Sequence, residues 1–223
     1  MKPLEGLKIV TVEHFAAGPY GSMYLADMGA TVFKVENTAS GGDPARKMGP
    51  YFLGDNDSLV FQGWNTNKNS IALDLKSEEG REAFLAIVRS ADAVMNNLRG
   101  DQPEKLGIDY ASLKAAKKDV VCLHISAYGR NNSRANWPGY DFLMQAEAGL
   151  MHLTGDPSAD PTRFGVSIID FMTGTVGVLG LLAALRKAGQ TGEGCDVDVS
   201  LFDVALHQLG YAGTWYLNEG LES

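Results

Sequence analysis

The run LKIVTV at residues 7–12 decides the fold, because the chain repeats its pattern after a helical segment. Residues 21–28 carry apolar side chains at helical spacing, and TVFKVE at 31–36 is a second short run rich in β-branched and apolar residues. The pattern then continues along the chain with a helical segment at 78–90 and short apolar runs at 93–96 and 120–126. Strands that alternate with helices are typical of βαβ units. The sequence therefore predicts an α/β, Rossmann-like fold, a mostly parallel sheet with helices on both faces.

The connections between these segments indicate where a ligand would bind. Residues 39–54 and 129–139 contain several glycines and prolines and are predicted to be long loops near strand ends. Open α/β sheets bind ligands at the ends of their strands. Further along, residues 189–194 are predicted to be a turn before another apolar strand, and a last helix is predicted from about Ser200 to Leu217.

Composition limits the classes of partner. The chain has 223 residues, of which 45% are hydrophobic and 21% are charged, enough to bury a substantial core. A formal net charge of -8 argues against a nucleic-acid surface, although a local basic pocket for a phosphorylated cofactor is allowed. The four histidines lack metal-ligand spacing, so no metal site is expected; His14 lies close to the presumed ligand crevice and His124 is expected to be a satisfied core residue.

The sequence also predicts a compartment. Cys122 and Cys195 lack CxxC spacing and indicate no disulfide framework. The first residues show no basic region followed by an apolar run, and no apolar run is judged long enough to span a bilayer. We therefore expect a cytoplasmic protein without a membrane partner.

One carboxylate, Asp170, interrupts the otherwise apolar and small-residue segment FGVSIIDFMTG at 164–174. A buried charge is costly unless something compensates for it. Residues 164–169 are predicted to be a strand or buried loop and 171–186 a helix, so Asp170 is expected at the helix N-terminus, where Gly174 and Gly177 admit another chain or a ligand. The local pattern alone favours an ordinary N-cap, with a catalytic carboxylate as the alternative.

Short motifs along the chain resemble those of the class III coenzyme A transferases, in the same order and at compatible spacing. The resemblance runs from Pro3 to Gly220. Its motifs are LEGLKIV (4–10), AGP (17–19), LADMGA (25–30), VFKVE (32–36), NTNK (65–68), SIALDLK (70–76), NLRG (97–100), LG (106–107), ISAYG (125–129), PGYDF (138–142), LTG (153–155), the Asp170 segment, TGEG (191–194) and VDVSL (197–201). Each motif is weak alone, but the ordered set is specific for the family.

The resemblance implies an activity and changes the interpretation of Asp170. It implies a CoA-transferase that moves coenzyme A from an acyl-CoA donor to a carboxylic acid through a covalent aspartyl intermediate, with Asp170 at the position of the nucleophile. Such chemistry needs a dry site with backbone donors for the oxyanion. With the resemblance added, catalysis is favoured over simple capping at Asp170.

Tyr140 separates two activities within this superfamily. The α-methylacyl-CoA racemases have the same fold and an aspartate at the Asp170 position, but a histidine where Tyr140 stands. Racemisation needs an acid and a base near one carbon, and tyrosine with an ordinary pKa is a poor substitute for histidine. Transfer is therefore favoured over racemisation or epimerisation. Tyr140 is predicted to orient the substrate or to form a hydrogen bond near Asp170, with an aromatic core residue as the alternative.

The resemblance also implies which residues line the CoA site. They are Phe15, Ala16, Asn37, Leu73, Lys76, Asn97, Leu98 and Lys105. Lys76 and Lys105 could equally be solvated surface lysines, and Leu73 could be strand core. Asn97 is the most telling member of the set, because a turn at the carboxyl end of a strand is where a ligand crevice opens.

Two positions depart from the pattern of some family members. Some transferases carry glutamine where Ala16 stands and arginine where Asn37 stands, so a hydrogen bond and a positive charge are missing here. Arg46 and Arg99, in neighbouring loops, could compensate by binding a carboxylate or phosphate, or could be solvated.

Family members are considerably longer than this chain. The resemblance therefore implies that residues 1–199 form part of a large domain and that 200–223 form a helix and the start of a linker to a small domain. It also implies a homodimer of interlocked chains, in which the aromatic side chains of Tyr211, Trp215 and Tyr216 are exposed or pack on a second subunit. The family's glycine-rich loop has no counterpart here, so the alternative is a fragment that binds CoA without turnover.

Overall fold

A six-stranded sheet forms the centre of the chain, described here in a computed structural model that covers residues 1–156 and 158–221. Every neighbouring pair of its strands is parallel. The strands are β1 (Lys8–Val12), β2 (Thr31–Glu36), β5 (Asn69–Ala72), β6 (Ala93–Asn96), β7 (Val121–Ser126) and β8 (Cys195–Ser200), while β3 (Phe52–Gly54) and β4 (Asp57–Ser58) form a separate antiparallel hairpin. The predicted parallel α/β class is confirmed.

The order of the strands determines where a ligand can enter. It runs β5-β2-β1-β6-β7-β8, so the chain winds outward from β1 in one direction and then returns to begin again at β6. Val12 at the end of β1 pairs in register with Asn96 at the end of β6. The loops that follow these strands therefore diverge from one edge of the sheet. Such a reversal of strand order is where doubly wound sheets open a ligand crevice.

Helices cover both faces of the sheet, and each face has its own buried core. They are α1 (Ala17–Asp27), α2 (Leu59–Asn65), α3 (Glu78–Val88), α4 (Gln102–Leu106), α5 (Tyr110–Leu113), α6 (Asp141–Glu147), α7 (Ile168–Thr191), α8 (Leu201–Gln208) and α9 (Gly210–Glu219). One core contains Leu25 and Leu181, and the other contains Phe84 and Leu113. The expectation of helices on both faces is confirmed.

The contact between α1 and α7 depends on glycine. A Cβ atom on Gly21 would lie 2.7 Å from the carbonyl oxygen of Gly174, and one on Gly174 would collide with the carbonyl oxygen of Ala17. Within the described structure, the small residues of α7 thus admit helix α1. Of the two alternatives expected at Gly174, the ligand is wrong, and the close approach of another segment of chain is what the structure shows, because the backbone of α1 fills that room.

Several predicted boundaries differ from the structure. The predicted loop at 39–54 contains two short 3-10 helices, Thr38–Ser40 and Pro44–Lys47, and strand β3. The predicted strand or buried loop at 164–169 is wrong, because Phe164 and Val166 are about half exposed. These side chains belong to an irregular segment before α7 and have no sheet neighbour.

Glycines in the left-handed region explain where the last helices end. Helix α7 continues through Gly189 and ends at Gly192, whose φ is 69°, so the predicted turn begins too early. The single helix predicted from Ser200 to Leu217 is two helices, because Gly210 has a φ of 53° and interrupts the helical path. The predicted start at Ser200 lies one residue before α8 begins. Ser200 is the N-cap of α8, because its hydroxyl accepts a hydrogen bond from the backbone N–H of Asp203.

Helix α7 is long and apolar enough to cross a membrane by length and composition alone, with a hydropathy of 1.9 in its most apolar window. The expectation that no run reaches this length is therefore wrong. Its only carboxylate, Asp170, lies in the first turn, and residues 171–185 that follow are all uncharged. In the structure α7 packs against α1, β7 and β8. A core helix passes the same test, so this feature is weak evidence for a span.

Candidate active site

Two adjoining cavities lie at the carboxyl edge of the sheet, where the strand order reverses. The larger has a volume of about 730 Å³ and the smaller about 350 Å³. Both are lined by His14, Leu98 and Gln102, from the segments that follow β1 and β6. The two loops expected to diverge from this edge therefore form the wall between the cavities.

Asp170 lines the larger cavity from the first turn of α7. Within the described residues its carboxylate accepts no hydrogen bond, and the helix N-cap is Ser167. The interpretation of Asp170 as an ordinary N-cap is therefore wrong. Burial, and secondarily the charge of Asp141, raise the pKa of Asp170 to about 7. An uncompensated carboxyl group facing a cavity is a candidate for chemistry.

Asp141 performs the capping that the sequence assigned to Asp170. Its Oδ2 accepts hydrogen bonds from the backbone N–H groups of Ile169, at 2.6 Å, and Asp170, at 3.1 Å. Its Oδ1 accepts one from the Gln145 amide, and burial raises its pKa. Sequence reasoning missed Asp141. The signal that could have found it is its position, because it follows Pro138, Gly139 and Tyr140 and stands at the start of a helical pattern.

Tyr140 also lines the larger cavity, at the residue that precedes α6. Its side chain is 63% exposed, so the alternative of an aromatic core residue is wrong. Among the described residues its hydroxyl has no hydrogen-bond partner, Asp170 included. The predicted hydrogen bond near Asp170 is not formed, and the tyrosine is free to contact a ligand.

The residues predicted to line the CoA site divide between the two cavities. Phe15, Ala16, Asn97 and Leu98 line the larger cavity, and Asn37, Leu73, Lys76 and Leu98 line the smaller one. Lys105 is among the lining residues of neither; it is exposed and pairs with Asp101 at 2.6 Å. The structure thus brings together seven of the eight predicted residues around one continuous crevice.

The turn after β1 is held by Asn97. The Asn97 Oδ1 accepts a hydrogen bond from the backbone N–H of His14 at 2.9 Å, and its Nδ2 donates to the His14 carbonyl at 2.7 Å. Burial lowers the pKa of His14, which favours a neutral imidazole. The predicted position of His14 beside the crevice is confirmed, and Asn97 holds the wall of the site.

Helix α1 begins in the larger cavity. Ala16 and Ala17 line it, and in the part of the chain that the structure describes no side chain caps this helix end. The first backbone N–H groups of a helix lack intrahelical partners and carry the positive end of the helix dipole. The cavity therefore contains a positive helix end as well as the Asp170 carboxyl group.

The two arginines differ in what they contact. Arg46 donates two hydrogen bonds to Glu36, at 2.8 and 2.7 Å, and its guanidinium lies 3.8 Å from the centre of the Phe61 ring. Burial raises the pKa of Glu36, but hydrogen bonds from Arg46, Ser70 and the Asp43 backbone outweigh it and lower that pKa to about 2. Arg46 is thus engaged by internal partners and does not compensate for Asn37. Arg99 lines the larger cavity, half exposed, with its Nε 3.5 Å from Asp101.

His124 lies apart from the two cavities, which His14 lines. His124 is buried, with Nδ1 2.8 Å from the Asn96 amide and Nε2 2.8 Å from Asp196, so its predicted role as a satisfied core residue is confirmed. Over residues 1–156 and 158–221, no group of three or more His, Cys, Asp or Glu side chains is arranged to hold a metal ion.

Comparisons with known proteins agree on one family. The model of CoA-transferase family III matches residues 4–223. Succinate–glutarate CoA-transferase of Agrobacterium fabrum is 37% identical over 98% of this chain and 56% of its own length, and acetyl-CoA:oxalate CoA-transferase of Acetobacter aceti is 37% identical over 94% and 54%. A CAIB/BAIF family protein from Brucella suis has a TM-score of 0.94 at 36% identity, over 100% of this chain and 59% of that one. The chain spans about half the length of the curated relatives it matches.

Proposed function

Because the chain belongs to CoA-transferase family III, we propose that it transfers coenzyme A from an acyl-CoA to a carboxylic acid, with Asp170 as the covalent nucleophile. The observation that supports this proposal is the position of the Asp170 carboxyl group, without a hydrogen-bond partner in the described structure and facing a cavity of about 730 Å³. Relatives named as transferases for succinate, glutarate and oxalate suggest small dicarboxylic acids as substrates.

The reaction follows from the chemistry of a carboxylate and a thioester. Ionised Asp170 attacks the thioester carbonyl to give a tetrahedral adduct, the carbon–sulfur bond breaks, and CoA leaves as thiolate, so that a mixed anhydride between Asp170 and the acyl group remains. The thiolate then attacks the aspartyl carbonyl, which releases the first acid and forms an aspartyl-CoA thioester. The acceptor carboxylate repeats both steps in reverse order, and Asp170 is regenerated.

Three features of the cavity support these steps. The uncapped start of α1 offers backbone donors and a positive dipole end to the oxyanion of each tetrahedral intermediate. Tyr140, exposed at the cavity, is placed to orient the acyl group. The smaller cavity contains Lys76, which suits a phosphate of CoA, so the pantetheine arm would pass Leu98 between the two cavities.

Tyr140 also argues against racemisation or epimerisation. Such a reaction needs a second acid–base group at the substrate's α-carbon, and tyrosine is a weak base at neutral pH. The other candidate is CoA binding without turnover.

Mass spectrometry of the intact protein separates these candidates. The chain is incubated with a panel of acyl-CoAs, trapped with hydroxylamine or borohydride, and compared with Asp170→Asn, which keeps the size of the side chain. We expect an adduct that maps to Asp170 and is absent from the variant. A folded chain that binds CoA but forms no adduct would favour binding without turnover.

We further propose that the protein acts as a cytoplasmic homodimer. The aromatic side chains of α9 support the dimer, because Tyr211, Trp215 and Tyr216 are about half exposed or more. Light scattering after size exclusion would report the mass, and Trp215→Lys is expected to lower it to that of a monomer.

A further inference from the structure

The turn between β1 and α1 has a backbone conformation that needs support. Phe15 has a φ of 58°, in the left-handed region that residues with a Cβ atom rarely adopt. Its neighbours His14 and Ala16 both line the larger cavity, and His14 lines the smaller one too. The unusual residue therefore lies at the junction of the two cavities.

The topology places a side chain on each side of this turn. Strand β1 lies between β2 and β6, so the loops after those two strands flank the turn after β1. Asn97, after β6, binds the N–H and the carbonyl of His14. Asp43, in the loop after β2, accepts a hydrogen bond from the N–H of Phe15 at 3.1 Å. Successive amides of the turn are thus held from opposite sides.

Asp43 is itself fixed by three further contacts, two at its carboxylate and one at its backbone N–H. Its Oδ1 also accepts the N–H of Ala45 at 2.9 Å, its Oδ2 accepts a hydrogen bond from Lys34 at 2.8 Å, and its own N–H donates to Glu36 at 2.9 Å. The side chains of Lys34 and Asp43 are 1% and 0% exposed. Separating an ion pair buried to this degree is costly, because each charge would be left in the interior without a partner.

A second ion pair completes the charge balance. Lys68 donates to Glu13 at 3.0 Å, and Glu13 lies 4.0 Å from Lys34. Two buried lysines therefore face two buried carboxylates, and the four charges cancel. The sequence places Lys34 in a strand and Asp43 in a loop, and nothing in that spacing shows that the two meet.

We propose that Asp43, fixed by Lys34, is a positioning residue that holds Phe15 in its left-handed conformation and so shapes the junction through which coenzyme A passes. This inference rests on the proposed function. The pair does not touch the reacting atoms. It acts through the Phe15 N–H, while Asn97 holds the other side of the turn.

The test compares two carboxylates that are fixed in similar ways. Asp43→Asn removes the charge but keeps an oxygen near Phe15. The control is Asp196→Asn; Asp196 also accepts a backbone N–H, from Tyr110, and pairs with Arg130, but it lines neither cavity. Two quantities are measured for each chain: the dissociation constant for coenzyme A, and hydrogen–deuterium exchange of the peptide that spans residues 13–17.

Asp43→Asn is expected to weaken CoA binding at least tenfold and to speed exchange at residues 13–17 by a similar factor. Asp196→Asn is expected to leave both within twofold, even if both variants melt at lower temperatures. If Asp43→Asn binds CoA like the wild type, or exchanges like it at these residues, the positioning role is wrong. Should Asp43→Asn fail to fold, the double variant Lys34→Met, Asp43→Asn, which leaves neither charge unpaired, is judged by the same criteria.

A substitution at Phe15 supplies an independent check. Glycine adopts a positive φ without strain, whereas alanine does not. In the Asp43→Asn background, Phe15→Gly should bind CoA several-fold better than Phe15→Ala, and with Asp43 intact the two should differ less. Equal affinities in both backgrounds would contradict the inference. A wild-type chain with no affinity for CoA would instead contradict the proposed function, and the exchange data would then decide the positioning role alone.

Discussion

At the scale of the residue, the ionisation of Asp170 controls the proposed chemistry. Burial and the nearby charge of Asp141 raise its pKa to about 7, so the carboxyl group is largely protonated under mildly acidic conditions. Only the ionised form can attack a thioester. Formation of the trapped adduct is therefore expected to increase about tenfold from pH 6 to pH 8, with a midpoint near 7. The check is the yield of adduct at short times, measured across this pH range with an acyl-CoA that is stable to spontaneous hydrolysis. An adduct yield that does not change with pH would contradict the prediction.

Asp141 is expected to tune this midpoint. Asp141→Asn removes the smaller of the two causes that raise the pKa of Asp170, and an asparagine oxygen can still accept the N–H groups of Ile169 and Asp170. The midpoint of adduct formation should therefore move to lower pH but stay above the ordinary value of aspartate, because burial remains. Asp141→Ala, which also removes the cap, should in addition destabilise the fold by about 2 kcal/mol. An unchanged midpoint in Asp141→Asn would show that burial alone sets this pKa.

The residue scale also shows the limit of sequence reasoning. Asp170 stands out because it is a single carboxylate among apolar neighbours, and this signal can be read from a local window. Asp141 meets the start of α7 only through tertiary structure, 29 residues away from Asp170 along the chain. A cap supplied by another helix leaves no local pattern, so the sequence assigned the cap to the nearest aspartate.

At the scale of the element, strands were easier to predict than loops and helix ends. Strand β2 has its predicted bounds, because its β-branched and apolar residues favour a strand and each of its residues is buried or half-buried. The hairpin of β3 and β4 was missed, since strands of three and two residues are too short to show a period. Helix α7 was predicted too short, because Gly189 and Gly192 together resemble the glycines of a turn, whereas Gly189 is helical and Gly192 ends the helix.

The close approach of α1 and α7 leads to a prediction with a control in the same helix. Gly174→Ala places a Cβ atom against the carbonyl oxygen of Ala17, whereas a Cβ atom on Gly189 meets nothing within 4 Å. Gly174→Ala should destabilise the protein by about 2 kcal/mol or more, because backbone has to move. Gly189→Ala should stabilise it by about 0.5–1 kcal/mol through helix propensity. Urea denaturation of both variants measures the difference, and equal stabilities would mean that the two helices are not packed this closely.

At the scale of the whole molecule, the location of the site could be predicted from the sequence, but the shape of its cavities could not. Parallel topology puts the segments after β1 and β6 at one edge, so Phe15, Ala16, Asn97 and Leu98 could be expected together. The division into two cavities depends on how the loops after β2 and β5 fold back, which no side-chain pattern encodes. For the same reason, Lys76 and Lys105 were both predicted to line the CoA site. Lys76 lines the smaller cavity, whereas Lys105, near the end of α4, is exposed and pairs with Asp101.

These two lysines provide a test of how coenzyme A lies across the molecule. If the phosphates occupy the smaller cavity, Lys76→Met should weaken the binding of CoA by about three- to tenfold, the usual effect of one charge-assisted contact. The same variant should bind a pantetheine thioester, which lacks the nucleotide, as the wild type does. Lys105→Met should change neither affinity, because Lys105 is exposed and already paired with Asp101. Calorimetric titration of the three chains with both ligands gives the comparison. A loss of CoA affinity in Lys105→Met but not in Lys76→Met would move the nucleotide out of the smaller cavity and onto the outer face of α4, and the path past Leu98 would then have to be abandoned.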